Sequence, residues 1–281
     1  MAKKNLASVQ YSILDLVSYA QNQSIADALR SSKNLAQHAE NWGYHRYWIA
    51  EHHSIEGVAS AATTVVMTYI AENTKSIRVG SGGIMLPNHA PMMIAEQFGT
   101  LESLYPGRID LGLGRAPGSD QLTMRALRRG LASQGDDFPE LVEELFFFFG
   151  EDKPEKRIKA IPGVGLKIPI WILGSSLFSA HFAARLGLPY AFASHFAPGA
   201  LFDALEIYRA EFQPSEFLEK PRVMVGVPVV AADTDERAHF LATSLYQRFT
   251  NLVRGQTQPT PPPVKSMDGL WSAREQAMAQ S

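Results

Sequence analysis

The chain has 281 residues, close to the ~250 of a single (β/α)8 barrel. Hydrophobic residues make up 46% and charged residues 19%, a balance that supplies a large core and argues against disorder. A formal net charge of -2 gives no pull toward nucleic acid or an anionic membrane, and the lack of cysteine excludes a disulfide framework, a thiolate metal site and a cysteine nucleophile. No apolar run approaches the ~20 residues that span a bilayer. The start, MAKKNLASVQYSILDLV, carries no cleavage pattern, so a cytoplasmic protein is expected.

Taken in order, the chain alternates β-like runs with amphipathic stretches. VQYSILDLV (9–17) reads as a strand, and 24–42 as a helix with Ser24 at its N-cap. YHRYWIAEHH (44–53) is a strand running into polar residues, followed by a helix at about 60–73. IRVGSGGIML (77–86) is the third strand, and Pro91 opens a helix to about Tyr105. PGRIDLGLGRA holds a turn and the fourth strand; 116–135 reads as a polar, Gly- and Arg-rich loop, and 137–149 as a helix. KIPIWILGSS (167–176), PYAFASH (189–195) and RVMVGVPVVAAD (222–233) are the fifth to seventh strands, each followed by a helix. The tail, 254–281, is Pro-rich and irregular, with a short helical run at its end.

Strands apolar on both faces, alternating with helices, imply a parallel sheet covered by helices. Without a Gly-rich dinucleotide fingerprint, a TIM-type (β/α)8 barrel is favoured over a doubly wound sheet, as one domain over 1–281. Nothing after 254 reads as an eighth strand, so a barrel without its final strand and helix, C-terminally incomplete, is expected.

In such barrels chemistry gathers where strands end. Glu51-His52-His53 lacks the spacing of a zinc-protease helix; it is either a polar strand end or a proton donor or acceptor near pH 7. Gly80-Ser81-Gly82-Gly83 is either a bulge or a place where a flat ligand lies against backbone. Arg115, after Gly112-Leu113-Gly114, suits a phosphate or carboxylate, or a structural ion pair. Ser175, Ser176 and Ser179 either cap a helix or bind an anion at its start. Jointly, Arg115 and the serines make a phosphate clamp beside glycines that leave room for a planar ring, a pairing that suggests FMN or a similar cofactor. Trp48, Ile84, Met85, Trp171 and Phe192 are candidates for apolar walls or ordinary core. No metal ligands are assigned, and Glu51 and Asp110 are read as isolated carboxylates.

Three segments, WIAEHHSIEGVAS, RVGSGGIMLPNHAPMMIAEQFGTLESLYPGRIDLGLGRAPGSD and PIWILGSSLFSAHFAARLGLPYAFASHFAP, resemble the bacterial luciferase-like FMN-dependent monooxygenases. The likeness is to small single-component members related to the luciferase alpha chain and runs to about residue 233. It implies a luciferase-like TIM barrel in which reduced FMN (FMNH2), delivered by a separate flavin reductase, reacts with O2 to a C4a-hydroperoxyflavin. That species oxidises a small organic substrate such as an aldehyde. On this resemblance His52 is catalytic, while Gly82, Gly83, Arg115, Ser175, Ser176 and Ser179 bind the cofactor. The Gly82-Gly83 pair matches the position of a non-proline cis peptide. A second phosphate-site arginine has no clear counterpart, with Arg125, Arg128 and Arg129 as possible substitutes. A homodimer through the helices after the early strands is also implied. The alternatives are a non-catalytic FMN-binding protein with an incomplete barrel and an oxidoreductase of the same superfamily that uses the deazaflavin F420.

Overall fold

The computed structural model describes residues 6–116, 121–127, 135–195 and 197–280. Short apolar strands alternate with helices along the whole described chain. The strands are β1 (Ser12–Asp15), β2 (Arg46–Ile49), β3 (Arg78–Ser81), β4 (Ile84–Met85), β5 (Ile109–Gly114), β6 (Ile170–Gly174), β7 (Tyr190–Phe192) and β8 (Val223–Val225). The helices are α1 (Ile25–Asn41), α2 (Thr63–Glu72), α3 (Pro91–Leu104), α4 (Gln121–Leu127), α5 (Phe138–Phe149), α6 (Leu177–Leu186), α7 (Leu201–Glu211), α8 (Asp235–Val253) and α9 (Ala273–Gln280).

All strand pairs are parallel and run in the order β1-β2-β3-β5-β6-β7-β8, with β4 paired to β5. The order is sequential because each crossover helix returns the chain one strand further round in the same hand. The expected strand 77–86 is broken into β3 and β4 at Gly82-Gly83, whose peptide bond is cis. The 116–135 loop holds a short helix, α4, which loop composition concealed. The expected seventh strand is short: beyond Val225 its sequence leaves the sheet, and Val227 and Val229 are exposed. No strand among the described residues joins β1 to β8, in keeping with the expected open barrel.

Helix ends follow local chemistry. Ser24 caps α1 by accepting from the Asp27 amide, and Thr234 caps α8 by accepting from the Arg237 amide. Pro91 stands in the first turn of α3, where its missing N–H has no intrahelical partner to lose. The core lies between sheet and helices: Tyr47, Ile49, Met67, Ile70, Phe98, Leu111, Ile172 and Tyr190 are all fully buried. Inside the barrel, Asp110 pairs with Arg46 (Nε–Oδ2 2.9 Å) and Arg78 (Nη2–Oδ1 2.7 Å), correcting the reading of Asp110 as isolated. Its pairing needs residues 64 and 32 positions away, which only sheet register brings together. Above this layer the Trp48 and Trp171 rings meet edge-on, 5.4 Å apart, with Ala191 beside them.

Candidate functional site

Parallel strands deliver all their C-terminal ends to one mouth, and the candidate residues stand there. β2 is buried along its length and ends in apolar Tyr47, Trp48 and Ile49, and Glu51, His52 and His53 follow just past its end. Glu51 is 1% exposed. Its Oε1 accepts from His53 Nε2 at 2.7 Å and His89 Nε2 at 2.9 Å, and its Oε2 accepts from the Met85 amide at 3.0 Å. Burial alone would raise the Glu51 pKa, but the bonds from His53 and His89, with the Met85 amide, overcome it and hold the carboxyl at about 2. The second reading of Glu51 as isolated is therefore corrected too. His89 lies on the segment after β4, 38 residues from Glu51, and no local pattern links the two. The ligand atoms of Glu51, His53 and His89 lie within 4.8 Å of one another, a donor set able to hold a metal ion that the sequence reading did not assign.

His52 is half-buried and lines a small cavity of about 70 Å³ together with Leu16, Ile55 and Arg248. A second imidazole faces the same mouth. His195 follows β7, and an added Cβ at Gly226, just past β8, would stand 2.5 Å from its Nδ1. Burial first, and the neighbouring His52 second, push the His195 pKa below its ordinary value. Sequence reading passed over His195; its one signal was the polar end of an otherwise apolar strand.

Gly83 is required by the barrel itself, whereas Gly82 faces the end of a movable side chain. A Cβ at Gly82 would come 2.5 Å from Leu14 Cδ1, and one at Gly83 would come 2.6 Å from the Gly112 carbonyl oxygen. β4 then pairs Ile84 with Leu113 and Met85 with Gly114, which sets Gly82-Gly83 one strand away from Arg115.

β5 and β6 pair Gly114 with Leu173, so Arg115 emerges beside Gly174-Ser175-Ser176. The exposed Arg115 guanidinium lies 4.3 Å over the Phe178 ring, in the first turn of α6. Ser176 is the N-cap of α6, yet its side chain makes no capping bond to that turn. Hydroxyl, guanidinium and helix N-terminus therefore stand together, the chemistry a phosphate monoester requires. Ser179 differs from the other two serines. Its hydroxyl donates to the Ser176 carbonyl at 2.8 Å and contacts the Tyr190 hydroxyl at 3.2 Å, so it braces the turn from beneath. Gly174 makes room for it: a Cβ there would stand 2.3 Å from Ser179 Oγ. Arg125 is exposed on α4, whereas Arg128 and Arg129 lie outside the described residues.

Of the expected wall residues, Trp48 and Trp171 form the buried interior pair, Ile84 and Phe192 belong to the main core, and Met85 is half-buried. Among the described residues no helix is long and apolar enough to cross a membrane.

Comparison with known proteins identifies the family and the fold. The chain is 60% identical over 271 residues to YvbT of Bacillus subtilis, covering 95% of this chain and 80% of that protein. It is 55% identical over 269 residues to a luciferase-like monooxygenase of Escherichia coli K12, covering 96% and 80%. It is 38% identical over 237 residues to the N-acetyl-S-alkylcysteine monooxygenase of Bacillus subtilis, covering 82% and 70%. Among solved structures, apo-MsnO8 superposes with a TM-score of 0.85 at 34% identity, covering 91% of this chain and 76% of that one. The fold is shared at 20% identity and TM-score 0.63 with the FMN-bound oxygenating constituent of 3,6-diketocamphane monooxygenase from Pseudomonas putida, covering 83% and 71%. It is also shared at 18% identity and TM-score 0.66 with an F420-dependent secondary alcohol dehydrogenase, covering 96% and 81%. Residues 10–279 match the luciferase-like monooxygenases as a family, and with the barrel and its furnished mouth this places the chain within that family.

Proposed function

We propose that the chain is a flavin-dependent monooxygenase that takes reduced FMN from a separate reductase and inserts one atom of O2 into a small organic substrate. The observation that carries FMN is the Arg115 guanidinium set over the first turn of α6, where Ser176 leaves the helix N-terminus without its usual side-chain cap. Those residues fit a terminal phosphate. Gly82 and Gly83 give a backbone face without side chains one strand away.

When bound, reduced FMN supplies the two electrons with which O2 is activated; one oxygen atom enters the substrate and the other leaves as water. The chain supplies the surroundings. Arg115, Ser175 and Ser176 would hold the phosphate, with Ser179 keeping their turn in place. His52 would give or take a proton through its imidazole, beside a second imidazole whose burial favours the neutral form. Trp48 and Trp171, both nearly fully buried, would keep the interior below the mouth dry. The name of the 38% identical relative makes thioethers a substrate class to set beside aldehydes. Exposed Val65 on α2 and Met93 and Leu104 on α3 support a homodimer through these early helices.

The test is incubation with FMNH2, ¹⁸O2 and a panel of aldehydes and thioethers. One ¹⁸O atom should appear in the product by mass spectrometry, and His52→Ala should lower product yield about tenfold or more while FMN affinity stays near normal. Hydrogen peroxide as the sole product from every substrate would favour a flavin-binding protein without oxygenase activity. Wild-type yield from His52→Ala would remove its role.

A further inference from the structure

The segment that follows β8 does not run back along the barrel wall; it packs over the mouth on the β1–β2 side. α8 reaches the loop after β1, where Arg248 Nη1 donates to Ser18 Oγ at 2.6 Å. The following chain is pinned to the same loop by Gln21 N–H to the Thr260 carbonyl at 3.2 Å and Thr260 N–H to the Tyr19 carbonyl at 2.9 Å. α8 is tied to that chain in turn by Val264 N–H to Thr243 Oγ1 at 2.9 Å and Gln247 Nε2 to the Pro262 carbonyl at 3.0 Å. Between this cover and the end of β2 lies the cavity of about 70 Å³ lined by His52, Leu16, Ile55, Arg248, Asn251 and Leu252.

Arg248 stands apart from the other sheltered arginines. Arg46 and Arg78 both pair with the Asp110 carboxylate. Arg108 spends its donors on the Ile77, Ala71 and Thr74 carbonyls and the Thr74 hydroxyl. Arg248 is half-buried, makes the single bond to Ser18, and has no carboxylate within 4.0 Å among the described residues. Burial lowers its pKa with no acidic partner to offset the cost. A cation left in that condition is costly unless an anion arrives to pair with it.

We propose that Arg248 anchors a carboxylate-binding subsite, and that the substrate of this enzyme carries a carboxylate held there while its oxidisable group lies on the His52 side of the cavity. The proposal rests on the monooxygenase reading of the mouth and names a substrate class for it. With Nη1 held by Ser18, Nε and Nη2 remain to grip two oxygens of one planar group. Asn251 adds an amide beside them, and Leu16, Ile55 and Leu252 suit an aliphatic link. The volume holds several water-sized groups, enough for a carboxylate and its first carbons. One guanidinium matches one negative charge, and Glu56 on the rim disfavours a dianion such as a phosphate monoester.

The test is isothermal titration of the full-length protein with hexanoate and with methyl hexanoate, alone and with oxidised FMN, in the absence of reductant. Wild type should bind hexanoate about tenfold or more tightly than the ester. Arg248→Gln should lose that preference while its affinity for the ester stays the same. Ser18→Ala, which removes the tether but keeps the cation, should retain the preference; it carries the test if the glutamine variant does not fold. Equal affinity of wild type for acid and ester, or no binding of either, overturns the proposal. So does a preference that survives in Arg248→Gln. Because no turnover is read, failure of the oxygenase reading would show separately, as absence of ¹⁸O from the product despite hexanoate binding.

Discussion

Glu51 shows how one side chain organises the end of a strand. Its two oxygens join three parts of the chain: His53 from the segment after β2, the Met85 amide from β4, and His89 from the turn beyond. Glutamine keeps one accepting oxygen but sets an NH2 donor against the donors that the other oxygen accepts from, so Glu51→Gln should destabilise the fold at neutral pH. The pH dependence has a definite sign. The folded pKa of about 2 lies below the ordinary 4.5, so the folded state resists protonation. The stability this contributes is fully present above pH 4.5 and is lost as pH falls toward 2. The depression corresponds to about 3 kcal/mol. Urea midpoints of wild type and Glu51→Gln should therefore differ most near pH 7 and converge between pH 4.5 and 2. A gap of constant size across that range would show that the carboxylate's charge is not what matters.

At the scale of elements, the anion site depends on two neighbouring strands ending at the same level. β5 sends out Arg115 and β6 sends out Ser175 and Ser176, and α6 begins where they meet. Arg115→Ala should weaken FMN far more than riboflavin, because only FMN has a phosphate for the fork to grip; flavin fluorescence titration of both ligands reads the difference. A loss of about tenfold or more for FMN with little change for riboflavin is expected. Equal losses would place Arg115 in packing against Phe178 instead. This level was also the one most legible in sequence. Alternation of apolar runs with amphipathic stretches located every strand and helix of the wall, because parallel strands buried on both faces leave continuous apolar runs. What local pattern could not show was α4 inside a polar loop, the break of 77–86 at Gly82-Gly83, and the inward turn of Ser179 toward Tyr190. Each depends on contacts made elsewhere: Leu14 and Gly112 press on the paired glycines, and the Tyr190 hydroxyl comes from the next strand.

For the whole molecule, mouth and floor divide the work of the barrel. His52, Arg115 and Arg248 stand at strand ends or beyond them, while Arg46, Arg78 and Asp110 sit where β2, β3 and β5 begin. Asp110 looked solitary in the sequence because its partners belong to strands laid beside β5 only when the sheet curls. It is fully buried and faces two guanidinium groups, with Trp48 Nε1 3.4 Å from Oδ2. The Arg46 guanidinium also lies 5.1 Å over the Trp171 ring, so the charge layer and the tryptophan pair support each other. Replacing Asp110 by Asn keeps the shape but withdraws the one negative charge that both arginines share. Breaking a buried pair in this way costs about 3–5 kcal/mol, because the orphaned cations cannot regain water. Asp110→Asn should therefore lower the thermal midpoint by several degrees, while the folded fraction still binds FMN with wild-type affinity. Calorimetry and flavin titration of the same preparation read the two quantities separately. A variant that kept its midpoint but lost flavin would move Asp110 from the floor's charge balance to the cofactor's support, and the division between a chemical mouth and a structural floor would fail with it.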